Sequence, residues 1–215
     1  MTPRAVLFDC DGVLVDSEPA AFDLLGDELA AHGHAMDREE MERTFVGTTI
    51  TGVAERARAL GVDFAPDWVE RFYDRLYARL GEGTALMPGV AAFLDRLDRA
   101  GVVYAVGSNG TVRKMETTLS QHPEVWQRLR ARLFSGQEIG APKPDPALYL
   151  AAAQALGVAP ADCVVVEDSP TGARAGVAAG MRVFGYAPQG GGAALAEVGA
   201  EVVDSFDEIA ARIGV

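Results

Sequence analysis

The chain has 215 residues, of which 49% are hydrophobic, so it can bury a substantial core in one large domain or in one domain that carries an insertion. A formal net charge of −12 argues against a nucleic-acid or anionic-membrane partner, because both require clustered Lys and Arg. Two cysteines, no leader before the first strand and no apolar run near the roughly 18 residues that span a membrane favour a reduced, cytoplasmic protein.

The segment Ala5–Phe8 is an uninterrupted apolar run that leads into Asp9, Asp11 and Gly12. Such a run predicts a strand buried on both faces of a parallel sheet. Ligands bind at the carboxyl ends of strands in open α/β sheets, and residues two apart on an extended segment point the same way. Both carboxylates can therefore reach the same small site, with a shared proton or a divalent cation between them. A polar turn is the alternative interpretation, since Asp is common in turns.

The region from Ser17 to Leu86 has helical periodicity. Its apolar stripes are Phe22, Leu25 and Leu29; Ile50, Val53, Ala57 and Leu60; and Trp68, Phe72, Leu76 and Leu80, with a capping box at Asp37 and Glu40 that opens a further short helix. An all-helical block of about 70 residues between a first strand and a later α/β alternation predicts an inserted four-helix cap domain at 17–86.

After Pro88 the pattern alternates between strands and helices. Buried strands are predicted at 102–107, 132–135, 164–167, 181–186 and 201–203, with helices between them. This alternation predicts an α/β fold with a Rossmann-like doubly wound parallel-sheet core, formed by residues 1–16 and 87–215, into which the cap is inserted.

Polar residues follow three of the predicted strands, where the sheet is expected to bind its ligand. They are Asp9 and Asp11 after the first strand, Ser108 and Asn109 after the second, and Glu167 and Asp168 after a later one. The segment from Ser108 to Thr111 offers backbone N–H groups, a hydroxyl and a carboxamide to an anion at a helix start. It is equally consistent with an ordinary helix cap.

Lysine is rare in this chain, because Lys114 and Lys143 are the only lysines among 19 basic residues. A lysine kept in an arginine-rich chain suggests a need for a compact point charge. Lys114 lies in the first turns of a predicted helix, where a cation opposes the helix dipole unless an anion is near. Lys143 stands between Pro142 and Pro144, which restrict the backbone and so fix where the side chain departs. A site of carboxylates and lysines without His or Cys ligands suits Mg²⁺ and not zinc.

Four motifs, in order along essentially the whole chain, resemble those of the haloacid dehalogenase (HAD) superfamily of phosphotransferases. They are FDCDGVLVDSE at 8–18, GSN at 107–109, KPDP at 143–146 and VEDS at 166–169. The helical insertion resembles the cap of the branch that contains β-phosphoglucomutase and the sugar-phosphate phosphatases. The resemblance implies a Mg²⁺-dependent phosphatase whose partner is a small phosphorylated substrate, a sugar phosphate or a sugar-acid phosphate such as 6-phosphogluconate.

The resemblance also implies roles for the motif residues. Asp9 would attack phosphorus to give an aspartyl-phosphate, and Asp11 would protonate the leaving alcohol and then deprotonate water. Lys143, Ser108 and Asn109 would hold phosphoryl oxygens. Mg²⁺ would be bound by the Asp9 carboxylate, the Asp11 backbone carbonyl and Asp168, with Glu167 acting through water.

Two alternatives to a phosphatase stay open. Family phosphomutases carry a His in the first cap helix and an Arg after a glycine in the cap loop, and 18–21 and 47–50 contain neither residue, which favours hydrolysis over a sugar phosphomutase. A non-catalytic phosphometabolite-binding protein on the same scaffold is the second alternative. The candidate substrate contacts are Gly47, Thr48 and Thr49 in this loop, together with Lys114, although threonines before a helix are also ordinary caps. A monomer or weak homo-oligomer is expected.

Overall fold

The structure, a computed structural model, describes residues 2–45 and 50–215. These residues form eight strands: β1 Ala5–Phe8, β2 Val15–Asp16, β3 Ala85–Leu86, β4 Val103–Ser108, β5 Leu133–Ser135, β6 Cys163–Glu167, β7 Arg182–Tyr186 and β8 Glu201–Val203. They also form twelve α-helices: α1 Glu18–Ala31, α2 Arg38–Phe45, α3 Ile50–Ala59, α4 Trp68–Glu82, α5 Val90–Ala100, α6 Val112–Leu119, α7 Pro123–Leu129, α8 Gly136–Ile139, α9 Ala147–Ala155, α10 Pro170–Ala178, α11 Ala193–Glu197 and α12 Phe206–Ile213. The predicted substrate contacts Gly47, Thr48 and Thr49 lie outside the described residues.

Six of the described strands form one parallel sheet in the order β5-β4-β1-β6-β7-β8. The chain order reverses at β1, where Phe8 lies beside Val106 of β4 and Val166 of β6. A doubly wound sheet binds its ligand at such a reversal, outside the carboxyl ends of the strands. The predicted α/β fold class is therefore confirmed.

Both faces of β1 are buried, as its apolar sequence predicts. Val6 and Phe8 belong to an apolar layer that includes residues of α5 and α12, and Phe8 meets Phe93 edge to face with ring centroids 5.9 Å apart. Ala5 and Leu7 belong to the opposite layer, with residues of α9 and α10. Helices on both faces exclude water from the strand and leave only its carboxyl end for ligand contact.

The chain divides into two compact units, Met1–Asp16 with Thr84–Val215 and, separately, Ser17–Gly83. The second unit contains α1 to α4 within its described residues, packed around an apolar core in which Trp68 stacks on Phe64 with ring centroids 4.1 Å apart. Nowhere in 2–45 or 50–215 does a helix combine the length and the apolar character needed to cross a membrane.

A short antiparallel ribbon joins the two ends of the α/β unit at the insertion. Val15 of β2 lies opposite Leu86 of β3, and Asp16 lies opposite Ala85. The predicted insertion extends to residue 86, whereas the helical unit of the structure ends at Gly83 and Thr84–Val215 belongs with the α/β unit. Strands of two residues are too short to show an alternating pattern, so β2 and β3 could not be predicted from the sequence.

Candidate active site

Three neighbouring strands bring the predicted site residues to one edge of the sheet. Asp9 directly follows β1, and its backbone N–H donates to the carbonyl of Val166 over 2.9 Å, which continues the β1–β6 pairing. Ser108 ends β4, and Glu167 ends β6. The sheet topology thus places together residues that are far apart in the sequence.

Lys143 is the buried cation of this site. Its Nζ donates hydrogen bonds to Oδ1 of Asp9 and, over 2.6 Å, to Oε1 of Glu167, and only 6% of the residue is exposed. Burial alone would lower the pKa of Lys143, but the Asp9 and Glu167 carboxylates outweigh it and raise that pKa well above its usual value. Lys143 is therefore held as an ammonium ion.

Burial raises the pKa of Asp9 to about 7, with Lys143 opposing the rise and Glu167 and Asp11 adding to it. Asp9 is 7% exposed, so water solvates its carboxylate poorly. The carboxylates gathered here exceed the positive charge available to them. Such an excess of buried negative charge favours the binding of a cation.

Glu167 has no exposed surface, and both of its carboxylate oxygens accept hydrogen bonds. Besides Lys143, Oε1 accepts from the hydroxyl of Tyr149 over 3.0 Å, and Oε2 accepts from the backbone N–H and the hydroxyl of Ser169 over 3.1 and 2.9 Å. A Cβ on Gly172 would lie 1.6 Å from Oε1, so only glycine leaves room for the carboxylate. Four donors therefore surround the carboxylate of Glu167, for which a contact with the metal through water is predicted.

Lys114 lies against Asp11, with its Nζ 2.8 Å from Oδ2. Thr111 caps α6 by accepting from the backbone N–H of Lys114 over 3.1 Å. Burial would lower the pKa of Lys114, but the Asp11 carboxylate reverses the effect and raises it. The two lysines of the chain therefore each pair with one aspartate of the first motif, and the anion expected near Lys114 is Asp11.

The predicted phosphate-binding residues have different surroundings. Ser108 is buried, and its hydroxyl accepts from the backbone N–H of Gly110 over 3.0 Å, in the turn before α6. The side chain of Asn109 instead bonds to the backbone of Lys143: Oδ1 accepts from its N–H over 2.7 Å and Nδ2 donates to its carbonyl over 3.2 Å.

Asp168 lies beside the glycine turn that follows Asp9 and Asp11. Gly12 has a φ of +77°, and a Cβ there would lie 2.0 Å from Oδ2 of Asp168, so glycine is needed both for the turn and for this close approach. Desolvation of its carboxyl group and the like charges of Asp9 and Glu167 raise the pKa of Asp168 well above its usual value, although the residue as a whole is exposed.

The acidic residues at this sheet edge can supply the small number of protein ligands that Mg²⁺ requires. Within residues 2–45 and 50–215, no group of three or more His, Cys, Asp or Glu side chains is arranged as a metal site. The direct ligands of the predicted set are only two carboxylates, from Asp9 and Asp168, and the backbone carbonyl of Asp11, with Glu167 expected to act through water. Mg²⁺ keeps several waters and binds through one or two carboxylates, and a cation would relieve the raised pKa of both aspartates.

Two residues that contact the site were not predicted. Tyr149 occupies a buried position of α9, and its ring lies 5.0 Å from Nζ of Lys143. Gln137 of α8 donates from Nε2 to the carbonyl of Asn109 over 2.8 Å. An aromatic residue at a helical core position is usually interpreted as packing, and α8 is too short for a periodic signal.

The chain is similar to known hydrolases over most of its length. The family model described as haloacid dehalogenase-like hydrolase matches residues 3–180. The 6-phosphogluconate phosphatase of Escherichia coli (strain K12) is 34% identical over 84% of this chain and 81% of that protein. Hexitol phosphatase A of the same strain is 32% identical over 86% of this chain and 83% of that protein.

A solved structure extends the similarity to the fold. The crystal structure of a HAD family hydrolase from Deinococcus radiodurans, with bound phosphate and sodium, has a TM-score of 0.82 and 34% identity, and the match covers 99% of this chain and 96% of that one. The family match, the related sequences and the sheet-edge site agree with one another. The chain therefore belongs to the haloacid dehalogenase-like hydrolase family.

Proposed function

We propose that this protein is a Mg²⁺-dependent phosphatase that hydrolyses a small phosphorylated metabolite through an aspartyl-phosphate on Asp9. The observation that carries the proposal is the buried ammonium of Lys143, held between Asp9 and Glu167, with Asp11 next to Asp9 in the first motif. A nucleophile, a cation and a second carboxylate at one sheet edge supply the groups that phosphoryl transfer requires.

The two steps of hydrolysis use the same three side chains. First, a carboxylate oxygen of Asp9 bonds to phosphorus, the bond from phosphorus to the leaving oxygen breaks, and Asp11 gives its proton to that oxygen. Then Asp11 takes a proton from water, whose oxygen bonds to phosphorus as the bond to Asp9 breaks and phosphate leaves. In both steps Lys143 and the N–H groups before α6 stabilise the negative charge on the phosphoryl oxygens.

The carboxylates of Asp9 and Asp168 and the backbone carbonyl of Asp11 are the groups that would hold Mg²⁺, which would offset the repulsion between carboxylate and phosphate. In this proposal Ser108, the last residue of β4, contacts a phosphoryl oxygen. Glu167 supports the reaction by holding Lys143.

The names of two related proteins support a proposal for the substrate class. Two relatives are named for sugar-acid and sugar-alcohol phosphates. We therefore place the substrate among sugar phosphates and sugar-acid phosphates, with 6-phosphogluconate and hexitol phosphates as the first candidates. In this proposal the helical unit, Ser17–Gly83, acts as the cap that selects the leaving group.

The test is Mg²⁺-dependent phosphate release from a panel of phosphorylated metabolites that includes 6-phosphogluconate, hexitol phosphates and hexose phosphates. Asp9→Asn keeps the size of the side chain and is expected to lower turnover at least roughly 10³-fold, because it removes the nucleophile. Asp74→Asn, which changes an exposed acid of the helical unit, is the matched control and should retain activity. Absence of release from every compound, or equal release by Asp9→Asn, would overturn the proposal.

A further inference from the structure

Asn109 joins two loops of the site through a pair of hydrogen bonds. Its carboxamide accepts from the backbone N–H of Lys143 over 2.7 Å and donates to the backbone carbonyl of the same residue over 3.2 Å. The amide thus pairs with Lys143 in both directions, as a neighbouring strand would. Because the backbone of Lys143 is the base from which its side chain reaches Asp9 and Glu167, this pair sets where the ammonium lies.

The start of α8 shapes the space in which Asn109 lies. A Cβ on Gly136 would lie 2.8 Å from Oδ1 of Asn109 and 2.9 Å from Cα of Pro142. Real Cβ atoms essentially never approach a heavy atom this closely. A glycine at position 136 therefore allows the amide of Asn109 to reach the loop that carries Lys143.

The next residue fixes the backbone of Asn109. Gln137 donates from Nε2 to the carbonyl of Asn109 over 2.8 Å, although Gln137 itself is exposed. Glu138 adds a second contact just beyond this turn, because its Oε1 accepts from the backbone N–H of Val112, the first residue of α6, over 3.2 Å. The short helix thus contacts both the Ser108–Thr111 turn and the start of α6, which is more than an exposed connecting segment needs.

We propose that Asn109 is a positioning residue for Lys143, and that Gly136 and Gln137 hold Asn109 in that position. This inference rests on the proposed function and deepens it, because it moves Asn109 from the phosphoryl ligands to the groups that place the catalytic cation. Gln137 is then a residue that influences catalysis without touching the substrate, through Asn109 and the Lys143 backbone. An exposed glutamine on a four-residue helix would otherwise be expected to tolerate substitution.

The experiment uses Gln137→Glu, which keeps the length of the side chain and removes the amide donor. Gln127→Glu is the matched control, because Gln127 is an exposed glutamine on α7. The full chain is labelled with ¹³C and ¹⁵N in lysine, so Lys114 and Lys143 give the only two lysine side-chain signals. Spectra of the phosphate-free protein are compared with kcat and KM on the substrate that the metabolite panel identifies.

We expect Gln137→Glu to shift or split the Lys143 signal while the Lys114 signal stays in place. We also expect kcat to fall about tenfold with KM changed less than about twofold, because misplacement of a group that acts in the transition state lowers turnover. Gly136→Ala should change both readouts in the same direction and further. Gln127→Glu should match the wild type in both.

Two results would overturn the proposal. An unchanged Lys143 signal in Gln137→Glu shows that α8 does not place this lysine, whatever happens to the rate. A raised KM with unchanged kcat shows that the segment acts through phosphate binding instead. The spectra need no turnover, so an unchanged Lys143 signal refutes the inference separately from the proposed function, whose failure would appear as a wild type that releases no phosphate.

Discussion

The α/β unit and the helical unit each contain a glutamate bound by several donors, and the two clusters differ in charge balance. In the helical unit, Glu28 accepts from Nε1 of Trp68 over 2.9 Å and from Arg75, and the hydrogen bond from Arg75 is the main reason that the pKa of Glu28 is lowered. In the α/β unit, Glu167 shares the single ammonium of Lys143 with Asp9, whose pKa rises to about 7.

This difference separates a cluster that stabilises the fold from one that is arranged for chemistry. The donors around Glu28 match the charge they surround, so ionisation of that group favours folding. At the sheet edge, the carboxylates of Asp9, Asp11, Glu167 and Asp168 outnumber the two lysines among the described residues, Lys114 and Lys143, that pair with them. Strongly raised pKa values that come from burial and like charge are characteristic of functional sites.

The largest effect on stability is expected from Lys143→Met, which removes the cation and keeps most of the volume. Glu167 would stay fully buried with only the neutral donors of Tyr149 and Ser169. Breaking a buried ion pair from one side costs about 3–5 kcal/mol. Urea unfolding near pH 7.5 measures this fall in the free energy of unfolding.

Lys114→Met is the matched control for that measurement. The side chains of Lys114 and Asp11 keep 18% and 31% exposure, so water can solvate the carboxylate that is left behind. The expected cost is about 1 kcal/mol, as for a partly exposed pair. Equal costs for the two lysine variants would show that the sheet-edge cluster is solvated like an ordinary surface and would remove the contrast with Glu28.

A smaller effect is expected from Mg²⁺ itself. At about one hundred times its dissociation constant, the ion should raise the free energy of unfolding by about 2.7 kcal/mol in the wild type. The gain should shrink as the pH falls below 7, because a proton on Asp9, whose pKa is about 7, competes with the metal. Calorimetry with and without Mg²⁺ at pH 6 and pH 8 measures both effects.

Asp168→Asn tests whether the stabilising ion binds where we propose. This variant should lose most of the Mg²⁺-dependent gain, whereas Asp74→Asn in the helical unit should keep it. If Asp168→Asn and the wild type gain equally, the ion binds elsewhere and the negative charge at the sheet edge has another purpose.

Strands and strand ends that depend on local sequence patterns could be predicted, whereas contacts that depend on packing between distant segments could not. The apolar run Ala5–Phe8 and the strand Glu201–Val203 were placed at the residues where the structure has them, since short segments of apolar or β-branched residues next to turn residues favour strands. Asp9, Ser108 and Glu167 were expected at one edge of the sheet, because the carboxyl ends of parallel strands meet there.

The finer arrangement of the site was not predictable in the same way. Glu167 faces Lys143 because Gly172 leaves room for its carboxylate and Tyr149 donates to it, and neither contact follows from local periodicity. The pairing of Asn109 with Lys143 joins residues 34 positions apart in the sequence. Such contacts depend on the finished packing of several elements, which one sequence does not specify residue by residue.

An effect smaller than those of Lys143→Met and of Mg²⁺ is expected from Glu28→Gln, which removes the charge and keeps the shape of the balanced cluster. The side chain of Glu28 is 13% exposed, so losing the charged hydrogen bonds from Arg75 and Trp68 should cost about 1–2 kcal/mol at pH 7. Because the folded-state pKa of Glu28 is lowered, its contribution is present above the unfolded value near 4.3 and is lost as the pH falls through the folded value.

The wild type should therefore lose about 1 kcal/mol more than Glu28→Gln when the pH falls from about 5 to about 3. Trp68 reports on this cluster directly, and Trp126→Phe removes the other tryptophan of the chain so that the fluorescence comes from Trp68 alone. Glu39→Gln is the control. The side chain of Glu39, which pairs with Arg43, is 85% exposed, so this pair should contribute almost nothing to the free energy of unfolding. If the free energy of unfolding of Glu28→Gln has the same pH dependence as that of the wild type, the charge of Glu28 does not stabilise the helical unit. The contrast in charge balance between Glu28 and Glu167 would then have no effect on stability in the helical unit.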